Sequence, residues 1–344
     1  MIIFAIMNSS CGKTFEIRPY TPSQAEEWNL FVRQSRNGTF LFDRGYMDYH
    51  ADRFADCSLM VRHNNGKLAA VLPANRVEAT LYSHQGLTFG GLVMCHELGT
   101  ADVLDIFQSL NGYLKTIGVQ KVIYKPVPWI YSMEPSEEDL FALHHACGAT
   151  LVSRQAAAVL TMHRPRFEES RRSGIRKARR ADVTVGQSND VDAFWNMLNN
   201  NLQNKYNSRP VHTLEEMRLL MSRFPLNIKL FMAFVGGKPV AGTVVYESSQ
   251  VAHTQYIAAT DEGKAVGATD LLFEYLLVSV YPDKPCFDFG TSLTSGREFN
   301  PRLAFQKEGF GARAVCYDCY EWSPLQTQQT HPSPCPSPKG EGCI

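Results

Sequence analysis

The stretch Asp261–Leu277, DEGKAVGATDLLFEYLL, constrains this chain more than any other. Before it, Val251–Thr260 (VAHTQYIAAT) is β-branched and aromatic between polar flanks, the pattern of a buried strand. Within and after it, Leu271, Leu272, Tyr275, Leu276 and Ser279 recur at helical spacing, so a helix follows. Gly263 and Gly267 fall in the turn between. A glycine-containing strand-to-helix turn aims backbone N–H groups and a helix N-terminus at one point, which suits an anion. The same glycines would serve any tight turn of this kind. Downstream come a second apolar strand, Cys286–Gly290 (CFDFG), a polar loop, a short helix from Asn300 to Glu308 and a final strand pair ending at Trp322.

The rest of the chain repeats this order. Asn64-Asn65-Gly66 sits between Ser58–Arg62 and Leu68–Leu72, and Gly236-Gly237 sits between Leu230–Val235 and Val240–Tyr246. Both are hairpin signals. Lys67 and Lys238 are 171 residues apart (238 − 67), His84 and His253 are 169 apart (253 − 84), and Thr100 and Thr269 are also 169 apart (269 − 100). In the first half, Leu81–Gly91 reads as the strand, Thr100–Ile117 as the helix and Val119–Lys125 as the next strand, ended by Pro126 and Pro128. The expectation is a mixed α/β fold in two tandem units, 14–160 and 161–323. Residues 324–344 are Pro-, Ser- and Gly-rich and read as a disordered tail.

Composition narrows the function classes. At 344 residues the length suits two domains of roughly 100–200 residues each. Formal net charge is zero, so no global field steers the protein to nucleic acid or acidic membranes. No apolar run reaches spanning length, and MIIFAIMNSSCGK lacks a basic n-region, so no signal peptide or integral membrane association is expected. Nine cysteines lack framework spacing. Cys316 and Cys319 lie in a strand pattern that faces them apart, so no metal site is expected. Free cysteines fit a reducing cytoplasm.

One stretch is strongly basic. Arg164–Arg180 carries eight Lys or Arg, with Arg172, Arg176 and Arg179 on one helical face and Ile175 and Ala178 anchoring the other. It reads either as a solvated helix or as a phosphate-binding surface.

The strand, glycine turn, helix and strand around Asp261–Leu277 resemble the core of the GNAT acyltransferases, so the resemblance implies two tandem GNAT-like domains. Arg172-Ser173-Gly174-Ile175-Arg176-Lys177-Ala178 with Val183-Thr184-Val185, Asp288-Phe289-Gly290, and Lys307-Glu308-Gly309-Phe310-Gly311 look like motifs of the Fem peptidyltransferases. GNAT-like N-acetyltransferases of bacterial surface-polysaccharide loci are similar. The resemblance implies acyl-CoA as co-substrate, its pyrophosphate on the turn Gly263, Lys264, Val266, Gly267 and Ala268. Glu262 stands where the GNAT pattern has Arg or Gln, and Asp261 and Asp270 add two carboxylates. The general-acid Tyr of many GNAT enzymes falls at Phe305, which has no hydroxyl. The lysine important to Fem catalysis matches Lys307, with Gln306 in place of the family's Phe.

Acyl transfer to an amine needs a base, an oxyanion partner and a proton for the leaving group. Lys307 is the leading candidate, with His253, Tyr256 and Asp288 beside it. Asp288 alternates with Phe287 and Phe289 and so points away from them. Candidate substrate contacts are Tyr46, Tyr49 and His50 at the inter-domain cleft, Arg176 on the basic helix, and Tyr206, Arg209 and Asn300 in polar segments. Three readings follow. One is an N-acyltransferase acting on a cell-envelope precursor such as a nucleotide-linked amino sugar. The second is a Fem-like ligase using aminoacyl-tRNA. The third is a binding protein that has lost catalysis.

Overall fold

The computed structural model describes residues 15–161, 166–206, 208–294 and 298–325. Most of the expected tail, and Arg164, lie outside the described residues. The first half runs β1 (Phe15–Pro19), α1 (Ala25–Gln34), α2 (Arg44–Met47), β2 (Leu59–His63), β3 (Leu68–Leu72), β4 (Asn75–Val77), β5 (Thr80–Tyr82), β6 (Val93–Met94), α3 (Thr100–Thr116), β7 (Lys121–Tyr124), α4 (Glu138–His145) and β8 (Thr150–Thr161). The second runs α5 (Glu169–Arg180), β9 (Thr184–Ser188), α6 (Val191–Tyr206), α7 (Leu214–Arg223), β10 (Ile228–Val235), β11 (Lys238–Glu247) and β12 (Val251–Ala259). It continues with α8 (Asp261–Val266), α9 (Ala268–Tyr275), β13 (Cys286–Thr291), α10 (Pro301–Glu308) and β14 (Arg313–Trp322). Hairpin, strand, helix, parallel strand and long last strand therefore recur in both halves.

The hairpin glycines act as expected. Gly236 (φ 54°) and Gly237 (φ 80°) both occupy the left-handed region that a tight two-residue connection between twisted strands requires. The expected strand Leu81–Gly91 is not continuous. Only Thr80–Tyr82 pairs, in parallel with β7, and Val93–Met94 pairs with β3. Between them His84 (φ 64°) and Gly91 (φ 83°) turn the chain out of the pleat.

The last strands are exchanged between halves. One sheet has the order β1-β2-β3-β6, and the other β4-β5-β7-β14-β8-β13-β12-β11-β10-β9. The final strand of the first half, β8, pairs with β13 of the second. The final strand of the second half, β14, pairs with β7 of the first. β8 and β14 pair with each other along nearly their whole length. The ten-stranded sheet is therefore built from strands of both halves, whereas the four-stranded sheet belongs to the first half alone. One apolar core also crosses between the halves, joining Trp28, Phe42 and Phe89 to Phe194, Met217 and Leu230.

The second half's parallel pair positions the site. β12 and β13 are in register at only three positions, Val251 with Cys286, Ala252 with Phe287, and His253 with Asp288. Beyond His253 and Asp288 they part. β12 continues along β11 to Ala259, while β13 shifts register against β8 between Asp288 and Thr291, with Gly290 at φ 72°. A fork opens where the backbones diverge.

Candidate active site

A cavity of about 820 Å³ fills this fork. His253, Thr254 and Ile257 of β12 form one side, and Phe289, Gly290 and Thr291 of β13 the other. Gln306 and Lys307 of α10 border it, as do Leu198 and Asn201 of α6. Gly263 and Lys264 of α8 and Gly267, Thr269 and Asp270 at the start of α9 line a further wall.

At the crotch of the fork, His253 Nδ1 lies 2.8 Å from Asp288 Oδ2. The Asp288 side chain is fully buried. Its Oδ2 also accepts from the hydroxyls of Tyr317 (2.6 Å) and Tyr131 (3.2 Å), and its Oδ1 accepts from the Gly290 N–H (2.6 Å). Burial by itself would push this carboxyl up. The His253 charge and the donated hydrogen bonds outweigh it and hold Asp288 below the usual carboxylate value. A carboxylate on Nδ1 fixes the imidazole tautomer, keeping the Nδ1–H and leaving Nε2 as the acceptor.

Lys307 is 6% exposed. Its ammonium donates to the carbonyls of Gly290 (2.9 Å) and Thr291 (2.8 Å) at the bulge. Burial pulls its pKa down to about 8, against a smaller upward effect from Asp288. An ammonium has three donors, so one remains beyond these two carbonyls. Asn300 does not line the cavity. It caps α10, accepting from Leu303 N–H (3.1 Å), and so sets the helix that presents Lys307.

The glycine turn differs from expectation. Residues 261–266 form a helix, because Thr260 caps it and accepts from Gly263 N–H (3.0 Å), with Asp261 and Glu262 in its first turn. Gly263 therefore does not offer a free amide. Gly267 (φ 79°) then reverses the chain into α9. A Cβ there would stand 2.4 Å from Gly174 O, so both conformation and close approach require glycine. Val266 packs on the apolar core and Ala268 is fully buried, so neither side chain faces the cavity. The three carboxylates are each matched by a cation: Asp270 by Arg171 (2.6 Å), Asp261 by Lys264 (2.6 Å) and Glu262 by Lys238 (3.3 Å). Glu262 is not in the cavity wall. The excess of negative charge expected around this turn is thus neutralised by Arg171 and Lys238, which lie far off in sequence.

Several predicted residues lie elsewhere. Tyr256 bonds His212 Nδ1 (2.6 Å) and packs edge-on to Trp195, away from the cavity. Burial raises its pKa to about 12. Tyr46 is a core residue bonded to the Tyr246 hydroxyl (3.3 Å) and ringed by Phe40, Tyr49 and Phe224. Tyr49 stacks between His50 and His212, and His50 is buried against Phe54. Arg176 is exposed and tied to Glu169 (2.5 Å). Arg209 is exposed outside the cavity wall, whereas its neighbour Ser208 is in it. Tyr206 ends α6, and its side chain lies outside the described residues. The basic helix does seat Ile175 and Ala178 in the core, but Arg172 and Arg179 are paired with Glu169 (3.1 Å) and Glu274 (2.6 Å).

Sequence reasoning missed Arg171, Tyr131, Tyr317 and Thr88. Arg171 carried a usable signal: with Gly174, Ile175 and Ala178 it shares the helix face that docks on α9. Tyr131 and Tyr317 carried none, because their nearness to Asp288 depends on the strand exchange.

Residues 166–298 match the model of the acetyltransferase (GNAT) domain. No curated protein matches the sequence. Among solved structures, the chain is similar in fold to FemX, with TM-score 0.64 at 11% identity over 90% of this chain and 97% of that one. It is also similar to the C-terminal domain of a putative lysylphosphatidylglycerol synthetase from Agrobacterium fabrum (TM-score 0.59, 12% identity, 87% and 91% covered). L-PGS from Bacillus licheniformis aligns with TM-score 0.53 at 11% identity, covering 93% and 95%. Among the described residues no helix is long and apolar enough to cross a membrane, and no cluster of three or more metal-ligating side chains is placed to hold an ion.

Proposed function

We propose that the protein is a bacterial cytoplasmic N-acyltransferase. It moves an acyl group, acetyl in the simplest case, from CoA to an amine of a cell-envelope or polysaccharide precursor such as a nucleotide-linked amino sugar. The observation that carries this reading is the fork cavity. It joins an Asp288-held histidine, a buried lysine and the first turn of α9 in one space. The units 14–160 and 161–323 act together in it, with the second carrying the chemistry.

In this reading the acceptor amine attacks the thioester carbonyl carbon, and His253 Nε2 takes its proton. The carbonyl π electrons move to oxygen, and the Lys307 ammonium faces the oxyanion through its remaining N–H. Collapse re-forms the carbonyl, breaks the C–S bond and expels the thiolate, which takes the proton back from His253. The pyrophosphate lies along α9's first turn, between Lys264 and Arg171.

A second reading, an aminoacyl ester on tRNA as donor, is favoured by the fold likeness to FemX and to the lysylphosphatidylglycerol synthetases. Against it, Arg171, Arg172, Arg176 and Arg179 of α5 are each engaged by a carboxylate, with Glu169 shared by two of them, which leaves only part of the helix's charge for a phosphate backbone. The non-catalytic reading is disfavoured because Lys307 borders the cavity. A thermal-shift panel of acyl-CoAs, nucleotide amino sugars and aminoacyl-tRNA tests the choice, since a ligand at 100 times its Kd stabilises by about 2.7 kcal/mol. A shift with acyl-CoA supports the first reading. A shift with aminoacyl-tRNA alone replaces it with the second.

A further inference from the structure

We infer that Tyr131 of the first half and Tyr317 of the exchanged strand are positioning residues that set the proton-holding strength of His253 through Asp288. The inference rests on the proposed role of His253 only for its catalytic consequence.

The geometry is unusual in its origin. Asp288 Oδ2 is shared by three donors: His253 Nδ1 (2.8 Å), Tyr317 Oη (2.6 Å) and Tyr131 Oη (3.2 Å), with the two phenol oxygens 3.3 Å apart. None of the three donors is a sequence neighbour of Asp288. Tyr131 comes from the turn Trp129–Tyr131 that follows β7 in the first half. Tyr317 sits on β14, where it pairs with Gln155 of β8. A second half standing alone would lack Tyr131 and would have no β8 or β7 to hold Tyr317 in place. The strand exchange therefore completes the surroundings of the one carboxylate that orients the base.

The chemistry gives the arrangement a direction. Burial, and next the Asp288 charge, raise both phenols well above their ordinary values, so each remains a donor. A phenol O–H donated to a carboxylate spreads its negative charge, and less charge then faces the imidazole. Removing a phenol returns that charge to Oδ2 and strengthens the hold on a protonated ring. The other ionisable groups facing this carboxylate are Lys307 on α10 and Cys286 on β13. Neither donates a hydrogen bond to Asp288, and neither is altered by a Tyr→Phe change.

The test is a pH titration of the His253 ring by NMR in the full chain, with histidine ¹⁵N-labelled and the signal assigned through His253→Gln. No substrate is needed. Tyr317→Phe is expected to move the midpoint up by about half to one pH unit, and Tyr131→Phe, at its longer distance, by less. The acid limb of the transfer rate, where transfer is measurable, should move by the same amount. Uniform 3-fluorotyrosine labelling keeps every side chain in place and strengthens phenol donation, so it should move the midpoint down. It decides the matter if a Phe variant fails to fold. A merely structural role would change stability and leave the midpoint still, and that outcome overturns the inference. A midpoint that shifts in a protein transferring no acyl group overturns the proposed function and leaves this inference standing.

Discussion

Replacing Asp288 with asparagine keeps the shape of the side chain and removes its charge. The backbone decides how the amide sits. The Gly290 N–H is 2.6 Å from Oδ1 and cannot turn away, so the amide oxygen must take that place. Its NH2 group then faces His253 Nδ1, which must accept instead of donate. The ring proton moves to Nε2, and the base loses its lone pair towards the cavity. The charge effect adds to this. At an effective dielectric of about 20, opposite unit charges about 4 Å apart attract by about 4 kcal/mol. Losing that stabilisation of the imidazolium corresponds to about 10³ in rate. Thiol release from an acyl-CoA and amine pair identified by the binding panel should therefore fall by roughly 10²–10⁴ in kcat, the usual weight of a general base. NMR of the same variant should show the proton on Nε2. Turnover within about threefold of wild type in a folded variant would refute the assignment of His253 as base.

Lys307→Ala should lower turnover by ~10²–10³ with the fold retained, the usual loss for one oxyanion donor. If the ammonium is required, activity should fall as pH rises through about 8, and Lys307→Arg should move that limb upward. The same lowered pKa makes a stability prediction. The folded chain sheds this proton from about 8, before the unfolded chain does near 10.5, so stability measured by denaturant titration should rise with pH in that window. Tyr256→Phe should leave kcat within about threefold while costing about 1 kcal/mol through the lost His212 bond, and a large loss of turnover would return Tyr256 to the site. Gly174→Val places a Cβ where the Asp270 carboxylate lies, 1.8 Å from Oδ2, and should destabilise by about 1–3 kcal/mol in thermal melts.

What could be read from the sequence was what local pattern controls. The paired hairpin glycines, the strand before Asp261, and the helix carrying Lys307 all have short-range signals, and the structure places them accordingly. The inward side of Asp288 followed from the two-residue period of a strand. The helix at 261–266 was also legible, since Thr260-Asp261-Glu262 is a cap followed by two acidic residues, but the glycines drew attention to a turn. Tyr256 was misplaced for a related reason. Tyr256 stands three residues from His253, an odd spacing that already faces the two side chains apart in a strand, and the structure packs it against His212 and Trp195. The exchange of β8 and β14 had no local signal at all. It depends on pairing between residues more than about 120 positions apart, and with it went any view of Tyr131, Tyr317 and the charge balance around α9.

Titration calorimetry of acyl-CoA into the full chain tests the central claim most directly. The account predicts one acyl-CoA bound per chain. Lys264→Glu, which replaces a cation of the cavity wall with a carboxylate, is expected to weaken binding by more than about tenfold, or ~1.4 kcal/mol. Absence of heat with any acyl-CoA, or equal affinity in wild type and Lys264→Glu, would contradict the assignment of the fork as the donor site.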